Sequence, residues 1–219
     1  MMNDELINIT EMIKRDQNLI KRELVFTKEQ SDEIDVLIQE IIDNQFENPT
    51  AQGSALEELT DKIFKTHSLY RTQKNLRTET NEIDLYIELD SFGTYVKSNV
   101  EESLETKFLV ECKNYTNKVG VTFIGKFASL MRVSNSTTGI FVSKNGITGN
   151  SDRWTESKGL IKKIALRDNS FILDFKLSDF FHLEGKSLPE LLSSKINALK
   201  LDVNINDLII NHELEEVFQ

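Results

Sequence analysis

Apolar residues recur along this chain with two different periods, and the change between them outlines the elements. Leu6, Ile9, Met12, Ile13, Leu19, Ile20 and Leu24 stand at helical spacing, and so, after a break, do Ile34, Leu37, Ile38, Ile41 and Ile42. Thr27-Lys-Glu-Gln30 between the two runs has the form of a capping box. Residues 1–46 are therefore read as two helices forming a hairpin. Glu47-Asn-Pro-Thr-Ala-Gln-Gly53 is rich in turn formers and marks a boundary. The pattern predicts an N-terminal helical extension over 1–48, serving oligomerisation or partner contact, and a second domain over 49–219 that ends in a helical segment.

After the boundary Ser54 opens a helix that turns Leu56, Leu59, Ile63 and Phe64 inward. Residues 67–82 are polar and read as turn-like. The period then drops to two. Ile83, Leu85, Ile87 and Leu89 alternate with Asp84, Tyr86 and Glu88, as in a strand with one buried face. Residues 90–106 read as a hairpin or excursion with an acidic tip. Phe108–Lys113 is a second strand, residues 122–133 a helix, Gly139–Lys144 a third strand, 151–166 a helix and Ser170–Phe175 a fourth strand. Ser187-Leu-Pro-Glu190 starts a helix to about Leu199, and the apolar positions Ile205, Leu208, Ile209 and Ile210 are read as packing. This order predicts an α/β fold: a mixed central sheet of four to five strands flanked by helices.

Composition adds limits. The chain has 219 residues, enough for one substantial core, and no apolar run approaches the length of a membrane span. One cysteine excludes an internal disulfide and any cysteine-rich zinc site, and a cytoplasmic setting fits. His67, His182 and His212 lack zinc-ligand spacing, and there is no glycine-rich phosphate loop and no serine-based triad. The net charge of −10 opposes a nucleic-acid partner until its distribution is considered. Residues 1–60 carry 5 basic and 14 acidic side chains, whereas residues 107–167 carry 11 basic and 3 acidic. A phosphate responds to the local field, although the same lysines could equally be solvating helix surfaces.

That basic segment begins at Phe108-Leu-Val-Glu-Cys-Lys-Asn114. In a strand Glu111 and Lys113 share one face, and Cys112 points to the other, where it reads as a core residue. A carboxylate and an ammonium at the end of an apolar strand are costly unless paired with each other or committed to a ligand. Acid-x-Lys triplets also occur at Glu105, Glu156, Asp174 and Glu184, so the triplet alone decides little. Only Glu111-x-Lys113 closes a strongly apolar strand and has an acid, Asp84, on the strand before it. Asp84 and Glu111 with the backbone carbonyl of Cys112 form a donor set suited to Mg²⁺, with Mn²⁺ as a substitute, and Lys113 would stand beside the scissile phosphate. The plainer reading is a set of salt bridges.

The pattern resembles the PD-(D/E)xK nuclease superfamily and, within it, the Mrr-like restriction endonucleases. The resemblance covers about residues 53–175. It rests on Gly53-Ser-Ala-Leu-Glu57, on Asp84, on Val110-Glu-Cys-Lys-Asn-Tyr115, on the Val119-Gly-Val-Thr-Phe helix entry and on the strand and loop from Gly139 to Thr148. Ile83 stands where the superfamily commonly has proline, and Asn81 and Glu82 replace its flanking glycines. The resemblance implies a restriction-endonuclease-like fold and a metal-dependent endonuclease that hydrolyses DNA phosphodiesters, in restriction or anti-phage defence. It implies catalytic roles for Glu57, Asp84, Glu111 and Lys113, with Glu57 joining the metal set. Glu57 also completes a possible Ser54-x-x-Glu57 capping box, its structural alternative. Asn114, Lys118, Lys126 and Lys144 are the candidate phosphate contacts. DNA is the expected partner, with RNA left open. A homodimer or higher oligomer is expected, since cutting a duplex takes two active sites; a protein partner could use the N-terminal helices; no membrane is involved. The alternative function is a catalytically silent module of the same fold that binds DNA or a protein.

Overall fold

A computed structural model describes residues 2–43, 46, 48–77 and 82–202, the side chains of residues 2–10, 49, 77 and 202 excepted. The expected packing of Ile205 to Ile210 lies outside the described residues. The chain forms a five-stranded sheet in the order β1 (Tyr70–Arg77), β2 (Glu82–Leu89), β3 (Lys107–Lys113), β4 (Thr138–Ser143) and β5 (Phe171–Lys176). β2 pairs antiparallel with both β1 and β3, and β3, β4 and β5 are parallel. The sheet is therefore mixed, as the alternation of strands and helices predicted. Around it stand α1 (Met2–Glu23), α2 (Lys28–Asp43), α3 (Pro49–Lys65), α4 (Ser91–Asn99), α5 (Val121–Val133), α6 (Glu156–Asp168) and α7 (Leu188–Asp202).

Strand alternation sends side chains into two cores. Leu85, Ile87, Phe108, Val110, Cys112, Val142 and Phe175 meet helices α2, α3 and α7. Leu109, Phe141 and Ile172 meet α5 and α6 on the opposite face. The first core also contains Leu24, Phe26, Ile34, Ile38 and Ile41, so apolar packing runs without a break across residue 48. The Thr27–Gln30 capping box forms as expected, with each backbone amide bonded to the other residue's side chain.

Three local expectations are corrected. The polar stretch after residue 67 contains β1, which pairs with β2 along its length. It is an edge strand whose Arg71, Gln73 and Lys74 are exposed, so burial imposes no apolar alternation on it. The stretch after residue 90 contains α4. Asp90 caps it by accepting from the Gly93 amide at 2.8 Å, and Val96 is fully buried. A side chain at position 93 would meet the Leu69 carbonyl oxygen at 2.0 Å, which explains a glycine in a helix. Finally, α3 begins at Pro49, not Ser54. Asn48 accepts from the Ala51 amide at 2.9 Å, and proline takes the first turn, where its missing N–H costs nothing. Ser54 and Glu57 thus lie inside the helix, and the Ser54-x-x-Glu57 box does not exist.

Candidate active site

The end of β3 is held by three neighbours. Continuing the β2–β3 register one step beyond Leu85 opposite Val110 sets Asp84 opposite Glu111, on the same face of the sheet. The Asp84 carboxylate accepts from the Cys112 backbone amide at 2.7 Å, which fixes it against β3. Helix α3 is pinned to the same strand end. Asn114 donates to the Gln52 carbonyl at 2.5 Å, and Gln52 returns a bond to the Asn114 carbonyl at 3.2 Å. Thr60 of α3 lies 3.7 Å from the Cys112 sulfur, so that thiol belongs to the core, and burial pushes its pKa well up.

Lys113 organises the polar side. Its ammonium is 3.6 Å from the Asp84 carboxylate, pairs with Glu111 and donates to the Cys112 carbonyl at 3.1 Å. The three oxygen donors expected to hold a metal thus converge on one cation, the lysine's own. Among the described residues no three acidic, imidazole or thiol side chains form a metal-binding group. The donor set that fits a divalent cation is two carboxylates and a backbone carbonyl, the mixture of oxygens that Mg²⁺ accepts together with water. Such a cation would require the ammonium to swing aside.

The site carries more negative than positive charge. Glu57 is pushed up to about 7, first by burial and then by Asp84, while Lys113 and Lys74 pull the other way. Glu111 is raised by burial and by Asp84 despite its pairing with Lys113. Burial works against the charge of Lys113, but Asp84 and Glu111 outweigh it and hold its pKa above the ordinary value. The sequence reading did not single out Lys74 and Glu82, both of which act on Glu57. Lys74 lies on β1, a solvated edge strand without apolar alternation, and Glu82 sits two residues before Asp84 with no spacing signal of its own.

The four candidate phosphate contacts separate. Lys118 and Lys126 are exposed. Asn114 is buried, and its amide is committed to tethering α3. Lys144 donates to the Ile41 and Ile42 carbonyls at 2.7 and 3.2 Å, closing the C-terminus of α2. Trp154 is buried.

A mixed sheet that sets an aspartate beside a Glu-x-Lys strand end, with a glutamate from the preceding helix, defines a nuclease of the PD-(D/E)xK type. The model of the family Mrr_cat, described as restriction endonuclease, matches residues 50–174, more than half of the chain. The protein belongs to that Mrr-type restriction endonuclease family. No curated protein and no solved structure matches it. Among the described residues no helix is long and apolar enough to cross a membrane.

Proposed function

We propose that the protein is a divalent-cation-dependent endonuclease that hydrolyses phosphodiester bonds of DNA, with Mg²⁺ as its cofactor and Mn²⁺ as a substitute. The observation that carries this is the convergence of Asp84, Glu111 and the Cys112 carbonyl on a single positive charge. The surplus of carboxylates around one buried lysine supports it, because a second cation would relieve their repulsion. A bound divalent cation would supply Lewis-acid stabilisation of the charge that develops on the phosphate. The chain's own groups do the rest. Asp84 and Glu111 would hold the cation, Glu57 would accept a proton from the attacking water, and Lys113, displaced toward the substrate, would neutralise the phosphate oxygens. Lys118 and Lys126 guide the backbone in. We assign restriction or anti-phage defence as the role, in the cytoplasm, and a homodimer as the working form.

The test is incubation of the full chain with plasmid DNA in Mg²⁺, in Mn²⁺ and in EDTA. Cleavage is expected in either metal and not in EDTA. Asp84→Ala and Lys113→Ala should each lower the rate by roughly 10²–10³-fold. Undiminished cleavage in both variants refutes the mechanism. A second reading has one observation in its favour: the ammonium of Lys113 already fills the space between the carboxylates. On that reading the protein keeps the nuclease fold for binding DNA or a protein partner without cutting. Calorimetry that detects neither Mg²⁺ nor Mn²⁺ binding would favour it.

A further inference from the structure

A cavity lies along the same sheet. Glu111 pairs with Phe141, and Phe141 with Asp174, so Asp84, Glu111 and Asp174 stand in one row on one face. Two strand spacings, about 10 Å, separate Glu111 from Asp174. Asp174 heads one of the acid-x-Lys triplets that the catalytic reading leaves aside. It borders a cavity of about 190 Å³ between β5, α6 and α7.

The lining has three chemistries. Ile147, Ile161, Ile172 and Leu199 form apolar walls. Lys158, Lys162 and Lys195 supply positive charge. Asp174 supplies a carboxylate whose Oδ1 is buried and accepts no hydrogen bond among the described residues. The neighbouring lysine does not satisfy it: Lys195 donates to the Asp174 backbone carbonyl at 2.8 Å and to Asp179 at 2.7 Å. A buried acceptor without a donor is costly and is normally completed by a partner. The lysines oppose a cationic ligand, and Asp174 opposes a bare anion. The walls ask for a flat apolar body, and the volume for one small ring system.

We propose that this cavity is a nucleotide site that prefers guanine, with the base donating N–H groups to Asp174 and the phosphate resting against Lys158. Guanine carries two adjacent N–H donors that a carboxylate can accept together, while adenine carries one amino group. The ligand is either a free nucleotide or, resting on the nuclease reading above, a guanine of the DNA substrate, since Asp174 stands about 10 Å from Glu111.

The experiment uses the full chain and GMP carrying a fluorophore on its ribose. Saturable binding is expected, displaced about tenfold better by GMP than by AMP, as for a paired contact against a single one. Guanosine should compete less well than GMP. Asp174→Asn should weaken GMP binding by about tenfold or more, and Lys158→Ala should remove the advantage of GMP over guanosine. A thermal melt verifies that the asparagine variant is folded, and the half-buried Lys158 offers an independent variant if it is not. Displacement by a single-stranded oligonucleotide that contains guanine, but not by one that lacks it, identifies DNA as the source. Displacement by the mononucleotide alone identifies a free nucleotide. No saturable binding, equal competition by AMP and GMP, or unchanged affinity in both variants overturns the proposal. The readout needs no cleavage, so its failure is distinct from failure of the nuclease reading.

Discussion

At the scale of single residues, carboxylates divide by what surrounds them. Asp84 is fixed by a backbone amide and Glu111 by a lysine, whereas the buried Oδ1 of Asp174 accepts no hydrogen bond among the described residues. Burial raises the Asp174 carboxyl from an ordinary 3.8 to about 6. The folded state therefore holds this proton more tightly than the unfolded chain does. The contribution to stability is complete below about 3.8 and is lost as the pH rises to about 6. Asp174→Asn removes that penalty. The variant should be more stable than the parent at pH 8, by about 1–3 kcal/mol, and the gap should narrow toward pH 4.5 in denaturant melts. Equal gaps at both pH values would show that the carboxyl is not protonated on folding. Sequence spacing pointed to Glu111 and Lys113 because they close an apolar strand, and to Asp84 because it lies near the start of the preceding strand, on its polar face. It could not rank Asp174 above the other triplets, because its isolation depends on where Lys195 and the helices fall.

At the scale of elements, the site is assembled by tethers between segments distant in sequence. Asn114 ties the first turns of α3 to the end of β3, and this tether positions Glu57. Asn114→Ala should cost about 1 kcal/mol by removing the side-chain bond to the Gln52 carbonyl. It should also lower cleavage while leaving the fold intact by circular dichroism. Lys144 joins α2 to the end of β4, and its backbone amide donates to the Lys113 carbonyl at 3.2 Å. Lys144→Met should lower the melting temperature, with a loss of about 1–2 kcal/mol, because two carbonyls at a helix C-terminus lose a cation. A melt identical to the parent's would show that α2 is held by apolar contacts alone. The elements that sequence patterning missed have physical reasons in common. The β1 strand is a solvated edge, and α4 contains a glycine, two β-branched residues and two aromatics, which lower helix propensity. Each is recruited by its neighbours: β1 by pairing with β2, and α4 by its Asp90 cap and its close approach to Leu69.

At the scale of the whole molecule, the N-terminal helices and the sheet share a core. Ile34, Ile38 and Ile41 are almost fully buried in the cluster that contains Leu56, Phe108 and Phe175. A chain lacking residues 1–48 should therefore aggregate or lose its cooperative thermal transition, because it exposes apolar surface that α2 covers. A truncated chain with a sharp, parent-like melt would establish 49–219 as an independent domain. The sequence by itself determined the periods of the buried strands and helices, the fold class and the nearness of Asp84, Glu111 and Lys113, because burial on a regular element writes its period into the order of residues. It also contained the basic segment that begins at β3. Only the tertiary structure decided which lysines are free and which serve as tethers, that Lys113 sits among the three oxygens, and that Asp174 borders a cavity. Those outcomes depend on distances between segments up to about a hundred residues apart, such as Lys144 and Ile41. No local pattern records such distances, because hydrogen bonding and charge act through space whatever the separation along the chain.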